Sequence, residues 1–218
     1  MKKVDDLANY AAVILQDTKQ VRWTADQHTT NLNSAIREII DLRPDAYTKS
    51  RLRKLVPGYE QTLDAAGLFL LKIISNMGLD GSSAGDAPRI IDLESMDLFM
   101  PSWRNDAANG VVRHYIPDPR TPRRFEVWPP QPVKPHYVRL LQAEYPDQVT
   151  VGSNENFPLT DSFANAAVQL SLAHGFQKAV GGDLNRSSFH RSLALQMLGL
   201  SGQSLSGSQP VQSKEARQ

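Results

Sequence analysis

The spacing of apolar residues changes twice along this chain, and that change limits the fold more than any other feature. Helical spacing governs both ends, whereas the middle carries short extended runs broken by proline, glycine, asparagine and aspartate. Near the start, Val4, Leu7, Ala8, Ala11, Ile14 and Leu15 recur at i, i+3, i+4 and i+7, which predicts an amphipathic helix over residues 3–17. A second helix is expected from Thr24, which with Gln27 has the form of a capping box, along the stripe Leu32, Ala35, Ile36, Ile39 and Ile40 to Arg43. Pro44 ends it, because the ring removes a donor and biases the preceding residue away from helix.

Between residues 46 and 150 the pattern predicts a small antiparallel sheet, with its best strands at 67–77, 110–116, 123–128 and 135–145. The stretch IPDPRTPRRFE suits a hairpin connection, LDGSSAGDAP a loop, and ESMDLFMPSW a short helical turn or irregular segment. Helical spacing returns after Asp161, read as an N-cap, and runs to Val180. That helix is apolar nearly all round. Phe163, Ala166, Ala167, Leu170 and Ala173 mark one face, for its own domain; Val168, Leu172, Phe176 and Val180 mark another. Such a second face asks for a second partner, so Val168, Leu172 and Phe176 are expected at a subunit interface. Gly181 and Gly182 interrupt, and a last helix over 183–198 carries Phe189, Leu193 and Met197. The remainder, SGQSLSGSQPVQSKEARQ, has the composition of a segment that is disordered in the free chain.

These elements add up to an α+β fold, in which N- and C-terminal helices form one bundle and a central antiparallel β region projects from it. The expected divisions are N-terminal helices at 1–45, a β-rich insertion at 46–157, C-terminal helices at 158–200 and a flexible tail at 201–218. With 218 residues, 40% hydrophobic and 22% charged, the chain can bury a core unaided, and no run reaches the roughly 18 apolar residues of a spanning helix. Asp5, Asp6 and Asn9 spoil the first helix as a signal peptide. The lack of cysteine excludes disulfides, thiol nucleophiles and cysteine-based metal sites. Twenty-four basic and 23 acidic side chains leave a net charge of +1, so no overall field draws the chain to nucleic acid or an anionic membrane.

No catalytic set, metal site or cofactor motif emerges. His28, His114, His136, His174 and His190 show no metal-ligand spacing; His114 and His136 read as sheet-surface residues and His190 as solvent-facing. The glycines of 79–88 lack the lysine of a phosphate loop, no serine sits in a nucleophile elbow, and the acids are scattered. Lys49, Arg51 and Arg53 lie on one side of an extended segment, and Arg120, Arg123 and Arg124 add a second cluster. Lys49, Arg51, Arg53 and Arg124 are therefore the candidates for facing DNA, although no aromatic residues interleave with them as stacking platforms. Pro132 and Pro135 have polyproline-ligand spacing, but the signal is weak and a stiffened loop between strands needs no partner to explain it.

The order of landmarks carries more. WTADQHTTNLNSAIREIIDLRPDA, PGYEQTL, LLKIISNMGLDGSSAG, MPSW and VRHYIPDPRTPRRFEVWPPQP follow one another in a sequence that resembles the head-to-tail adaptor, or connector, proteins of tailed bacteriophages, over roughly residues 10–200. The Arg43, Pro44, Asp45 string closing a helix and the strand Phe125, Val127, Trp128 ending in Pro129 and Pro130 match that family. The chain departs from it at His28 and Thr29, where the family tends to carry an apolar residue, and at Arg104 and Asn105 after the MPSW segment. The resemblance implies a non-enzymatic virion protein made in the host cytoplasm and placed at the head-tail junction. It further implies a homo-oligomeric ring, typically of twelve copies, docked to the portal protein on one side and a tail or nozzle protein on the other, with genome DNA passing through. A C-terminus reaching into the portal would make Leu205, Pro210 and Val211 portal-binding anchors.

Overall fold

A computed structural model describes residues 1–178 and 182–200. Two helices open the chain, α1 (Val4–Ile14) and α2 (Ala25–Leu42). Asp17 stops α1 short of residue 17: its carboxylate accepts from the backbone N–H groups of Val21, Arg22 and Trp23, turning the chain toward α2. The expected capping box starts α2. The Gln27 N–H donates to Thr24 Oγ1 at 3.4 Å, and the Thr24 N–H donates to Gln27 Oε1 at 3.0 Å.

Seven strands and one short helix follow: β1 (Thr48–Lys54), β2 (Gly58–Thr62), β3 (Phe69–Asn76), β4 (Arg89–Ile90), α3 (Leu93–Phe99), β5 (His114–Pro117), β6 (Arg124–Gln131) and β7 (Tyr137–Ala143). They form two sheets, in the orders β1-β7-β3 and β2-β6-β5-β4. Every pairing is antiparallel except β4 with β5. Ile73, Val138 and Leu140 of the first sheet share a core with Tyr115, Phe125 and Val127 of the second, so the two sheets face each other. The connection from β5 to β6 is the expected hairpin. Pro129 and Pro130 fall where the β2–β6 register shifts between Gly58 and Glu60, beyond the last β5 pairing, so their missing N–H groups cost the ladder little.

The chain returns to helix with α4 (Ala164–Lys178) and α5 (Leu184–Met197). Asp161 does not cap α4. It heads a single 3-10 turn and accepts from the Lys2 N–H at 2.9 Å, tying the first residues to the entry of α4. The N-terminus is stitched further by Val4 N–H to the Glu155 carbonyl and Phe157 N–H to the Lys2 carbonyl.

All four long helices share one core, which includes Leu7, Leu32, Ile36, Ile39, Ile40 and Leu170. Val149, Phe157 and Leu159 join it, so the strands of the insertion finish at Ala143 and the segment before residue 157 already belongs to the bundle. Asn33 fastens that segment, donating to the Val149 carbonyl at 2.8 Å and accepting from its N–H at 3.0 Å. Helices at both chain ends thus flank a central, mainly antiparallel β region, and the α+β reading holds.

Because Ile36 and Leu170 are buried at the centre of the bundle, Ile36→Ala and Leu170→Ala should each destabilise the protein by about 2–5 kcal/mol in urea unfolding. A loss below roughly 0.5 kcal/mol for Leu170→Ala would mean that its face is not core.

Candidate interaction surfaces

The face of α4 expected at a subunit interface is covered by the chain itself. Val168, Leu172 and Phe176 are only 1%, 3% and 9% exposed. Trp23 meets the Phe176 ring edge-on with centroids 5.8 Å apart, and His190 of α5 stacks flat on the same ring at 5.5 Å. Cover for this face comes from within the chain, from α1 and α2 around Val168, from Trp23 and α2 around Leu172 and from Trp23 and α5 around Phe176, so its burial needs no neighbouring subunit. Val180, the fourth of that face, lies outside the described residues, as do Leu205, Pro210 and Val211.

The outward apolar side belongs to α5 instead. Ser187, Ala194 and Leu198 are buried toward the bundle, while Phe189 and Met197 are 60% and 51% exposed. Polar contacts fix how α5 sits: Ser187 Oγ donates to the Ala173 carbonyl at 2.9 Å, and His190 Nδ1 lies 2.7 Å from Gln169 Oε1. His190 is thus half-buried between helices, not solvent-facing as expected. A third tie joins α2, α4 and α5, where Glu38 faces His174 at 2.9 Å and Arg191 at 2.5 Å. Burial works to raise the Glu38 pKa, but the hydrogen bond from His174 and the charge of Arg191 outweigh it and hold it below the ordinary carboxylate value.

Most of the basic candidates are engaged within the chain. Arg51 pairs with Glu144 through Nε and Nη2 at 2.6 and 2.7 Å, and Gln142 donates to the same carboxylate at 2.9 Å. Arg53 donates to the Thr62 carbonyl, Arg124 lies 3.3 Å from Glu60, and Lys49 stands over the Tyr47 ring. Arg51, Arg53 and Lys49 do share β1, an edge strand, whereas Arg124 belongs to the other sheet.

The remaining histidines sit deeper than a sheet surface. His28 is buried in the bundle with its Nε2 unpartnered, at the position where an apolar residue would be ordinary. His114 is half-buried against Trp128. His136 is half-buried and crowds Gly110 so closely that a Cβ there would lie 2.3 Å from its ring. Among the described residues no three His, Asp or Glu side chains gather as a metal site would require, and no helix is long and apolar enough to cross a membrane.

One surface that spacing could not reveal is an open groove of about 1070 Å³ across β4, β5, β6 and the start of α3. Its exposed apolar lining is Ile90 and Leu93, whereas Ile116 and Phe125, which also line it, are buried in the cores beneath. Its lining also holds five carboxylates and two guanidiniums, three negative charges in balance. Asp92 caps α3 by accepting from Ser95, and Asp118 accepts from the Arg120 N–H, so the backbone fixes both acids in place. α3 is held over the sheet by Met96 and by Trp103, whose Nε1 donates to Asp97 at 2.8 Å. Ile90, Leu93, Leu98 and Phe99 are nevertheless exposed. β4 is two residues long and α3 seven, too short for a periodic signal, and the acids that converge there are far apart in sequence.

No protein-family model matches this chain, and no curated protein matches it. What the structure defines is a two-part α+β protein with a helical body and a β module.

Burial lowers the pKa of His28, His114 and His190 from the ordinary 6.5; nearby Asp17 opposes the shift at His28, and neighbouring arginines reinforce it at the other two. Above pH 6.5 folded and unfolded chains both carry these imidazoles neutral. Below it the unfolded chain takes up protons that the folded one refuses, so stability should fall as pH drops from 6.5 toward the depressed folded values. Urea midpoints at pH 7.5 and about pH 5.5 measure this. Equal midpoints would sink the argument, and His28→Gln should shrink the difference.

Proposed function

We propose that this chain is a structural virion protein, a head-to-tail adaptor that forms a ring under the portal, extends the DNA channel and gives tail proteins a platform. The reading assigns it no catalysis and no cofactor. The observation that supports it best is the division of the chain into two separately cored parts. Both chain ends build the bundle, and residues 48–143 are paid out as a β module, which gives one molecule two distinct ends to offer to two partners. The resemblance in the order of sequence landmarks supplies the identity of those partners, portal on one side and tail or nozzle protein on the other. The basic residues of β1 suit a second reading, a nucleic-acid-binding module, less well, because Arg51 and Arg53 already have partners in the chain.

Electron microscopy of the chain mixed with its purified portal tests the proposal. A ring of about twelve copies seated on the portal is expected. A chain that stays free of the portal, or one that binds duplex DNA with an affinity falling steeply with salt, would speak for the second reading.

The tail from residue 201 is polar, and its few apolar residues, Leu205, Pro210 and Val211, are spaced as anchors for a partner. Deleting residues 201–218 should leave the urea midpoint nearly unchanged and weaken portal attachment at least about tenfold, since equivalent tails in a ring act together. Attachment as tight as that of the full chain would remove the tail from the interface.

A further inference from the structure

We propose that the groove between β4, β5, β6 and α3 is a docking site for an extended segment of a partner protein that interleaves lysine or arginine with aliphatic residues. The inference goes beyond the adaptor reading and does not rest on it. Three features of the groove specify the occupant.

Its floor asks for apolar side chains. Ile90 is 63% exposed and Leu93 42%, an arrangement that a solitary molecule gains nothing from. Its rim asks for positive charge. Asp92, Glu94 and Asp118 have no cationic side chain within ion-pair distance among the described residues, while Glu60 and Glu126 already face Arg124 and Arg104. An anionic occupant such as nucleic acid would be repelled.

The backbone asks for an extended chain. Arg89 donates its N–H to the Arg113 carbonyl and Ile91 donates to the Tyr115 carbonyl, both toward β5. By the alternation of a strand, the N–H and carbonyl of Ile90 between them point to the open side of the sheet, where β4 is the edge. A segment lying there completes that pair of hydrogen bonds beside the exposed Ile90 and next to the acids that line the groove.

Selection from a random 12-residue peptide library displayed on yeast, against the full 218-residue chain, tests the proposal. Enriched peptides should interleave basic and aliphatic residues. The best of them should bind at least about tenfold more weakly to Ile90→Asp and to Glu94→Lys, and more weakly in high salt, as a charged rim requires. Asp147→Lys, an exposed change away from the groove, should leave binding as it was, and urea midpoints of all three variants establish that the fold is kept. Peptides no different from the starting library, enrichment of acidic peptides, or binding indifferent to both groove variants would each overturn the proposal. Self-association of the chain abolished by the same two variants would also overturn it, by showing that a second copy fills the groove. Portal attachment that survives Ile90→Asp while peptide binding is lost separates this site from the adaptor reading.

Discussion

Burial of α4 is the constraint on which the rest of the bundle depends. A helix apolar on nearly every side has no stable face to turn to water, so it must be wrapped. The wrapping comes from α1 and α2 at one end of the chain, α5 at the other, and the segment carrying Val149, Phe157 and Leu159. Since these covers are far apart in sequence, closing them around α4 brings the first two helices and the last one onto the same element. Everything between Thr48 and Ala143 is then an excursion that leaves the bundle and returns to it. The polar ties of Glu38, His174, Arg191 and Ser187 add less in strength than in register, because a small rotation of α5 would take Arg191 away from a partly buried carboxylate.

The excursion carries its own core, and the joint between the two parts is short. Tyr47 and Glu144 meet there, the Glu144 N–H reaching the Tyr47 carbonyl at 3.3 Å. The buried Glu144 carboxylate is satisfied by Arg51 and Gln142 together. Arg51, which spacing suggested for phosphate, is thus a structural cation at the root of the module.

Helices with a strong stripe and a recognisable cap were legible in the sequence, as α2 shows, because burial on one face and satisfaction of end groups are both written locally. The strands β3, β5, β6 and β7 were legible for the same reason. Less so was β1: TKSRLRK has no apolar alternation, and its pairing along the whole of β7 comes from its partner's needs, not its own. The division into two sheets was hidden as well, since register is a property of pairs. The second face of α4 was read correctly as needing a cover, but sequence spacing cannot say whether that cover lies in the same chain. The groove was out of reach for a different reason: Asp92 and Asp118 take their roles from turns that only the fold brings side by side.

The way the bundle is closed also sets an order in time. A ribosome releases α1 and α2 more than a hundred residues before α4, the helix they must cover. At translation rates of roughly 5–20 residues per second, that gap lasts on the order of five to twenty seconds or more. During it the β module has everything needed to form its own core, while Ile36, Ile39 and Ile40 wait for α4, the helix that covers most of their face. The module therefore matures first during synthesis, and the nascent chain carries a sticky helical stripe through most of its emergence, the kind of surface for which cellular chaperones compete.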